Sequence, residues 1–243
     1  MPTDENAQEL NGIALSPYGR SLLASRTPMD ETIEVWDLRR RVRVKVIRDV
    51  GGRTMVFHPD QRTLVTSHGQ IIDLRSGRVT RHSITPDDTT TLAISESGRH
   101  LAAGDLSGRV TMWDGRGGHR LAVLPGTFSG TRGGEPEPVT GLQFSPDGRT
   151  LAVAGGKGTL QLWDVASNQP LGDALPTPED PLLALAFSPD GGTLYAAGAH
   201  VPLQKYVIGA QKAAADVCQR ARGALSRADW QVYLPEVPYR KTC

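Results

Sequence analysis

Internal repetition limits what this chain can fold into more than any other feature. A turn of the type Ser-Pro-Asp-Gly recurs as Ser16-Pro17-Tyr18-Gly19, His58-Pro59-Asp60-Gln61, Ser95-Glu96-Ser97-Gly98, Ser145-Pro146-Asp147-Gly148 and Ser188-Pro189-Asp190-Gly191. In step with it comes a strand end, as Trp36-Asp37, Ile72-Asp73, Trp113-Asp114, Trp163-Asp164 and Tyr206-Val207. The spacing from turn to strand end is 18 residues in the last three copies, 20 in the first and 14 in the second, where His68-Gly69 shortens the turn. A module repeating at roughly forty residues cannot bury its apolar faces alone and must stack on its neighbours.

Pro138 to Gly172 is the clearest copy. The apolar run Val139–Phe144 stops at Ser145-Pro146-Asp147-Gly148, where proline fixes one dihedral and glycine accepts a positive one. Thr150–Ala154 follows, then the tight turn Gly155–Gly158, then Thr159–Trp163, in which Leu160 and Leu162 alternate with Gln161 and Trp163. After a turn at Ser167-Asn168, Gln169–Leu175 is expected to add an outer strand. Arg41–Arg48, Arg78–Ile84 and His119–Leu124 are the outer strands expected in other copies. Pro125 to Pro138, poor in apolar residues, reads as a mobile loop.

These turns, the Leu-Ala core of the second strand and the Trp-Asp end of the third resemble the WD-repeat β-propeller family over roughly Asn11 to Ile208. The resemblance implies an all-β fold of radially arranged four-stranded blades, about five of which are recognisable, in a ring that is complete or incomplete. The Gly-His dipeptide that opens many family repeats is absent. The acidic residue of the turn before the third strand stands as Asp30, with Ser107 and Lys157 in its place elsewhere.

The expected organisation is a polar segment over residues 1–10, a propeller over 11–208 and a helical cap over 209–243. In the cap, Ala210–Arg222 places Ala214, Val217, Cys218, Ala221 and Leu225 at helical spacing, and Ser226 with Asp229 opens a second helix through Tyr233. The tail also resembles the cap of bacterial, especially actinobacterial, proteins that join a helix-turn-helix, a STAND-class NTPase and WD repeats. The matching positions are Cys218, Leu225, Trp230, Tyr233, Leu234, Pro238, Tyr239, Arg240 and Cys243. Cys218 and Cys243 are read either as reduced and buried in the cap or as a disulfide.

A net charge of +1 gives no general pull toward nucleic acid or an anionic membrane. No apolar run approaches the roughly 20 residues of a membrane helix, and Met1 to Glu9 lacks signal-peptide character, so a cytoplasmic protein is expected. Gly155-Gly156-Lys157-Gly158-Thr159 lacks the spacing of a phosphate loop, and no cofactor is implied. The six histidines show no ligand spacing, and no serine or cysteine sits in a nucleophile-elbow context, so neither a metal nor catalysis is expected.

Asp37, Asp114 and Asp164 recur at one place in each copy and read, with Trp36, Trp113 and Trp163, as structural; Asp73 shares their place. Trp230 reads as an anchor of the cap on the last blade. Arg41, Arg43 and Lys45 alternate with Val42, Val44 and Val46 and are expected on one solvated face of an edge strand. The turns carrying Arg26, His68, Asp105, Lys157 and His200 form a candidate partner-binding rim. The expected function is a non-catalytic protein-interaction scaffold; the alternative is the sensor end of a STAND-type ATPase. Self-association through an open blade edge is the further expectation if the ring does not close.

Overall fold

The computed structural model describes residues 9–27, 31–81, 89–125, 127, 136–209, 215, 218–220 and 226–240. Five antiparallel sheets follow one another along the chain. The first contains β1 (Glu9–Leu15), β2 (Ser21–Thr27), β3 (Thr32–Asp37) and β4 (Val42–Arg48); the second contains β5 (Met55–Phe57), β6 (Thr63–Thr66), β7 (Gln70–Asp73) and β8 (Val79–Arg81). The third holds β9 (Thr89–Ile94), β10 (His100–Asp105), β11 (Val110–Asp114) and β12 (Arg120–Val123). The fourth holds β13 (Val139–Phe144), β14 (Thr150–Gly155), β15 (Leu160–Asp164) and β16 (Gln169–Pro170), and the fifth only β17 (Leu182–Phe187), β18 (Thr193–Gly198) and β19 (Gln204–Val207). Each sheet is a meander in chain order, as short strands joined by tight turns require.

The recurring turn fixes the first hairpin of each blade. Gly148, at φ +69°, returns its N–H to the Ser145 carbonyl at 2.8 Å, and the Ser145 hydroxyl accepts the Thr150 N–H at 3.0 Å while donating to Asp147 at 2.6 Å. The aspartates that end the third strands close the next turn. Asp164 accepts both the N–H and the hydroxyl of Ser167 at 2.7 Å, Asp73 does the same for Ser76, and Asp37 accepts two N–H groups, from Arg39 and Arg40. Asp114 takes the Gly118 N–H at 2.7 Å.

Apolar residues cluster at the four junctions between consecutive blades. The leading face of each blade, turned toward the next in the chain, packs on that neighbour's trailing face. At the first junction Leu23 and Ile33 meet Phe57, Leu64 and Ile72; at the second Val65 meets Leu92, Leu101 and Ala103. At the third Val110 and Met112 meet Leu142, Phe144, Leu151 and Trp163, and at the fourth Ala152, Ala154 and Leu160 meet Leu194 and Ala196. Each large aliphatic or aromatic group buried this way contributes about 1.5–3 kcal/mol. Threonine hydroxyls tie the inner strands together, Thr54 donating to the Thr90 carbonyl at 2.9 Å and Thr90 to that of Val139.

Several expectations need correction. A register shift between Val35 and Trp36 breaks the alternation along β4, so Arg43 and Lys45 lie on opposite faces rather than one. Arg43 donates to Glu34 at 2.6 Å, whereas Lys45 reaches the carbonyls of Leu74 and Arg75 in the second blade, at 3.0 and 3.1 Å. The outer strand of the fourth blade is two residues long, continued only by a bridge between Leu160 and Leu175. Pro170, one of those two residues, brings no N–H to the ladder, and the next N–H, of Leu171, donates to the Leu162 carbonyl at 2.8 Å.

In the cap, α1 (Arg227–Tyr233) begins where expected, the Ser226 hydroxyl accepting the Asp229 N–H at 3.1 Å. Trp230 is buried, and its hydrogen bond and ring contact are made within the tail. Its indole donates to the Val237 carbonyl at 2.7 Å and meets the Tyr239 ring edge-on, with centroids 5.7 Å apart. Cys218 is disulfide-bonded, which removes the reduced reading for it; Cys243 lies outside the described residues. So do Met1 to Gln8, Asp30, residues 210–214, 216–217 and 221–225, which carry most of the expected first cap helix, and most of the Pro125–Pro138 connection.

Candidate functional site: the turn rim

The rim is built by the turn between the second and third strands of each blade. In the third blade Gly108, at φ +80°, returns its N–H to the Asp105 carbonyl, and the buried Asp105 carboxylate accepts the Arg109 N–H and its guanidinium Nε, both at 2.9 Å, and the Ser107 hydroxyl at 2.6 Å. Burial alone raises the Asp105 carboxyl, and the hydrogen bonds from Ser107 and Arg109 outweigh it, holding the group below the ordinary aspartate range.

The fourth and fifth blades carry glycine, Gly155 and Gly198, at the position of Asp105, counted from the turn serine. There the carboxylate comes from the connection before the blade. Buried Glu137 accepts the N–H groups of Lys157 and Thr159, at 2.7 and 3.1 Å, and the Thr159 hydroxyl at 2.6 Å. Asp180 accepts the N–H groups of His200 and Val201, at 2.8 and 3.1 Å, and pairs with the His200 ring at 2.9 Å. The His200 contacts hold Asp180 below its ordinary range.

Glycine makes room for this. A Cβ on Gly155 would stand 2.1 Å from Glu137 Oε1, and one on Gly198 would stand 2.0 Å from Asp180 Oδ2. Sequence reading sought the acid inside the turn itself and missed Glu137 and Asp180, which lie about twenty residues earlier. The signal was present: an acidic residue two positions before the first strand, paired with a glycine that ends the second.

The remaining rim residues are tethered more lightly. Arg26 pairs with Glu34 at 3.3 Å, and Glu34 also takes the Trp36 indole N–H at 3.1 Å. Burial raises the Glu34 carboxyl, but its bonds from Arg43, Trp36 and Arg26 prevail and lower it. His68 faces Glu31, the residue before β3 of the first blade, at 3.5 Å, and Arg26 lies within β2 opposite Thr32. Lys157 is exposed above Gly158 and lines a cleft of about 360 Å³ with Thr127, Thr159, Leu175, Thr177 and Glu179. Thr127 and Thr177 close its wall by donating to the carbonyls of Gly108 and Gly158, each 19 residues earlier. Asp105, in contrast, is a buried turn carboxylate and offers a partner little surface.

A family model described as the nucleolar protein 10-like N-terminal β-propeller domain matches residues 41–211. The chain belongs to that family. The match begins with the outer strand of the first blade, covers the second to fifth blades and ends two residues beyond Gly209, so His68, Asp105, Lys157 and His200 of this nucleolar protein 10-like propeller lie within it. No curated protein matches the chain.

Proposed function

We propose that this propeller is a non-catalytic interaction scaffold of WD-repeat type that presents its turn rim to a protein partner. One observation carries the reading: buried carboxylates hold the rim backbone in three consecutive blades while the side chains at the turn tips differ, Ser107, Lys157 and His200 occupying equivalent places. A fixed backbone with variable tips keeps the ordering cost of binding low and puts selectivity in the tips. Purified chain carrying His68→Ala, Lys157→Ala and His200→Ala together should lose partners that the unmodified chain retains from its native cytoplasm. Equal recovery by both, at equal thermal stability, removes the rim from the proposal.

A second reading is favoured by the tail. Trp230, Tyr239 and Cys218, three of the positions that resemble the cap of STAND-class ATPase proteins, make its indole-to-ring contact and its disulfide. In this reading the propeller is the sensor end of such a signalling ATPase, its NTPase supplied in cis or by a neighbouring gene. Reading the coding DNA around Met1 for a phosphate-loop domain discriminates the two.

A further inference from the structure

The turns that end the first strands lie at the other end of the blades from the rim, and they form a row of their own. A Cβ on Gly98 would stand 2.7 Å from the His58 ring, one on Gly148 3.8 Å from Ser95 and one on Gly191 3.7 Å from Pro146, so these turns follow one another in contact from the second blade to the fifth. Four steps after the first residue of the turn stands an arginine in the second, third and fourth blades: Arg62, Arg99 and Arg149. Its carbonyl accepts the N–H that follows the third-strand aspartate, from Leu74 to Arg62 at 2.7 Å, and from Gly115 to Arg99 and Val165 to Arg149 at 2.8 Å. One bond thus fixes the same backbone position in each blade, and all three arginines are exposed.

Charge on this end is divided unevenly. Its aspartates direct their carboxylates into the turns: Asp60 accepts the N–H groups of Arg62 and Thr63 at 2.8 and 2.9 Å, as Asp73, Asp114 and Asp164 accept those of their own turns. The guanidiniums of Arg62, Arg99 and Arg149, and of Arg75 and Arg116 after the third strands, donate to no carboxylate among the described residues. Arg99 from the third blade and Arg149 from the fourth line one cleft of about 460 Å³, together with His100, Asp147, Val165 and Ala166. The His100 ring stacks on Phe144 with centroids 6.4 Å apart, and burial, with Arg99 beside it, holds that ring below its ordinary range, so the two guanidiniums are the cations of the cleft. Asp147 is the acid in its wall, and Oδ1 of that carboxylate already takes the Ser145 hydroxyl and the Arg149 N–H.

We infer that this end of the propeller docks an acidic segment of a protein partner, whose carboxylates pair with Arg99 and Arg149 at the cleft and with Arg62 on the neighbouring blade. A guanidinium offers a planar fork that a carboxylate meets with two hydrogen bonds, and a backbone pinned alike in each blade sets the spacing of the forks. Val165 and Ala166 give the cleft an apolar stretch for the side chains between the acids. Nucleic acid fits less well. No described Phe, Tyr or Trp of the second to fourth blades is exposed for bases to stack on, and a chain of net charge +1 has no general field to draw in a polyphosphate. The surface lies apart from the turn rim and does not rest on the rim's reading.

Fluorescence anisotropy of a labelled oligoglutamate of about ten residues, titrated with the full chain, reads the pairing directly, with oligoglutamine and oligouridylate of the same length as comparisons. The expected result at about 50 mM salt is a Kd of about 1–100 µM for oligoglutamate and no binding of oligoglutamine. Arg99→Glu combined with Arg149→Glu should weaken binding at least about tenfold, whereas Arg53→Glu, exposed before β5 at the rim end, should leave it unmoved. Both cleft arginines are exposed, so circular dichroism should show an unchanged fold; if the charge reversal fails to fold, Arg99→Gln with Arg149→Gln gives the same readout. No binding of oligoglutamate, binding that the paired arginine variants leave intact, or binding weakened as much by Arg53→Glu overturns the inference. Oligouridylate held more tightly than oligoglutamate at the same salt also overturns it, in favour of nucleic acid.

Discussion

Glu137→Ala is the sharpest probe of how the rim is held. The substitution removes the acceptor of the Lys157 and Thr159 N–H groups and of the Thr159 hydroxyl. A buried donor left without a partner costs about 1–3 kcal/mol. Lys157 is exposed enough for water to replace its lost bond in part, so the expected loss is about 2–4 kcal/mol rather than the full sum. With a urea slope of about 2–3 kcal/mol per molar, the unfolding midpoint should fall by about 1 M. Gly155→Asp alone should also destabilise, since its Cβ would sit 2.1 Å from Glu137 Oε1. Combined with Glu137→Ala, however, Gly155→Asp recreates the arrangement of Asp105 in the third blade and should recover about half of the loss or more, a strongly non-additive cycle. Urea denaturation of the four proteins settles the matter. A double variant no more stable than Glu137→Ala would refute the claim that one carboxylate site is filled from two chain positions.

Three further outcomes are expected. Glu34 and Asp105 titrate below their ordinary values of 4.5 and 3.8, so the stability they contribute is complete above those values and is lost as pH falls through the lowered ones; the urea midpoint should drop below about pH 4, and less steeply in Asp105→Asn. The buried Trp163 indole N–H has no hydrogen-bond partner among the described residues, so Trp163→Phe should cost only packing, about 1–2 kcal/mol by thermal unfolding, against about 3–5 kcal/mol for Trp163→Ala. Trp230→Ala should erase hydrogen-exchange protection in the tail, from Arg227 to Tyr239, without shifting the melting of the propeller, because the hydrogen bond and ring contact of Trp230 are with Val237 and Tyr239.

The fold was legible because its information is local and repeated. Ser145-Pro146-Asp147-Gly148 specifies a hairpin with nothing but its own hydroxyl, carboxylate and positive-φ glycine, and five phased copies of such a turn leave little freedom in topology. Reading failed where one residue changed the register. The shift at Val35 and Trp36 turns Arg43 and Lys45 to opposite sides, and no alternation count along Arg41 to Arg48 can reveal an irregularity that arises from pairing with the neighbouring strand. Gln169 to Leu175 failed for a simpler reason, a proline in a strand whose partner was assumed to be available along its whole length.

The site was less legible, because what decides it is relation between blades rather than pattern within one. His68, Lys157 and His200 lie in or beside the turns between second and third strands, Arg26 lies within β2, and Asp105 is a different kind of residue. A candidate rim residue by its place in the sequence, it is a buried acceptor whose role Glu137 and Asp180 supply from a different chain position in the next two blades. The same logic hides the exposed face of the first blade. Ile13 and Leu15 stand at the same steps before their turn serine as Leu142 and Phe144, yet they are 62% and 61% exposed where those two are buried, because the pattern within one blade says nothing of what packs against it. A repeat specifies a face able to bury itself, but whether that face is buried depends on what packs against it, and no single copy of the pattern records that.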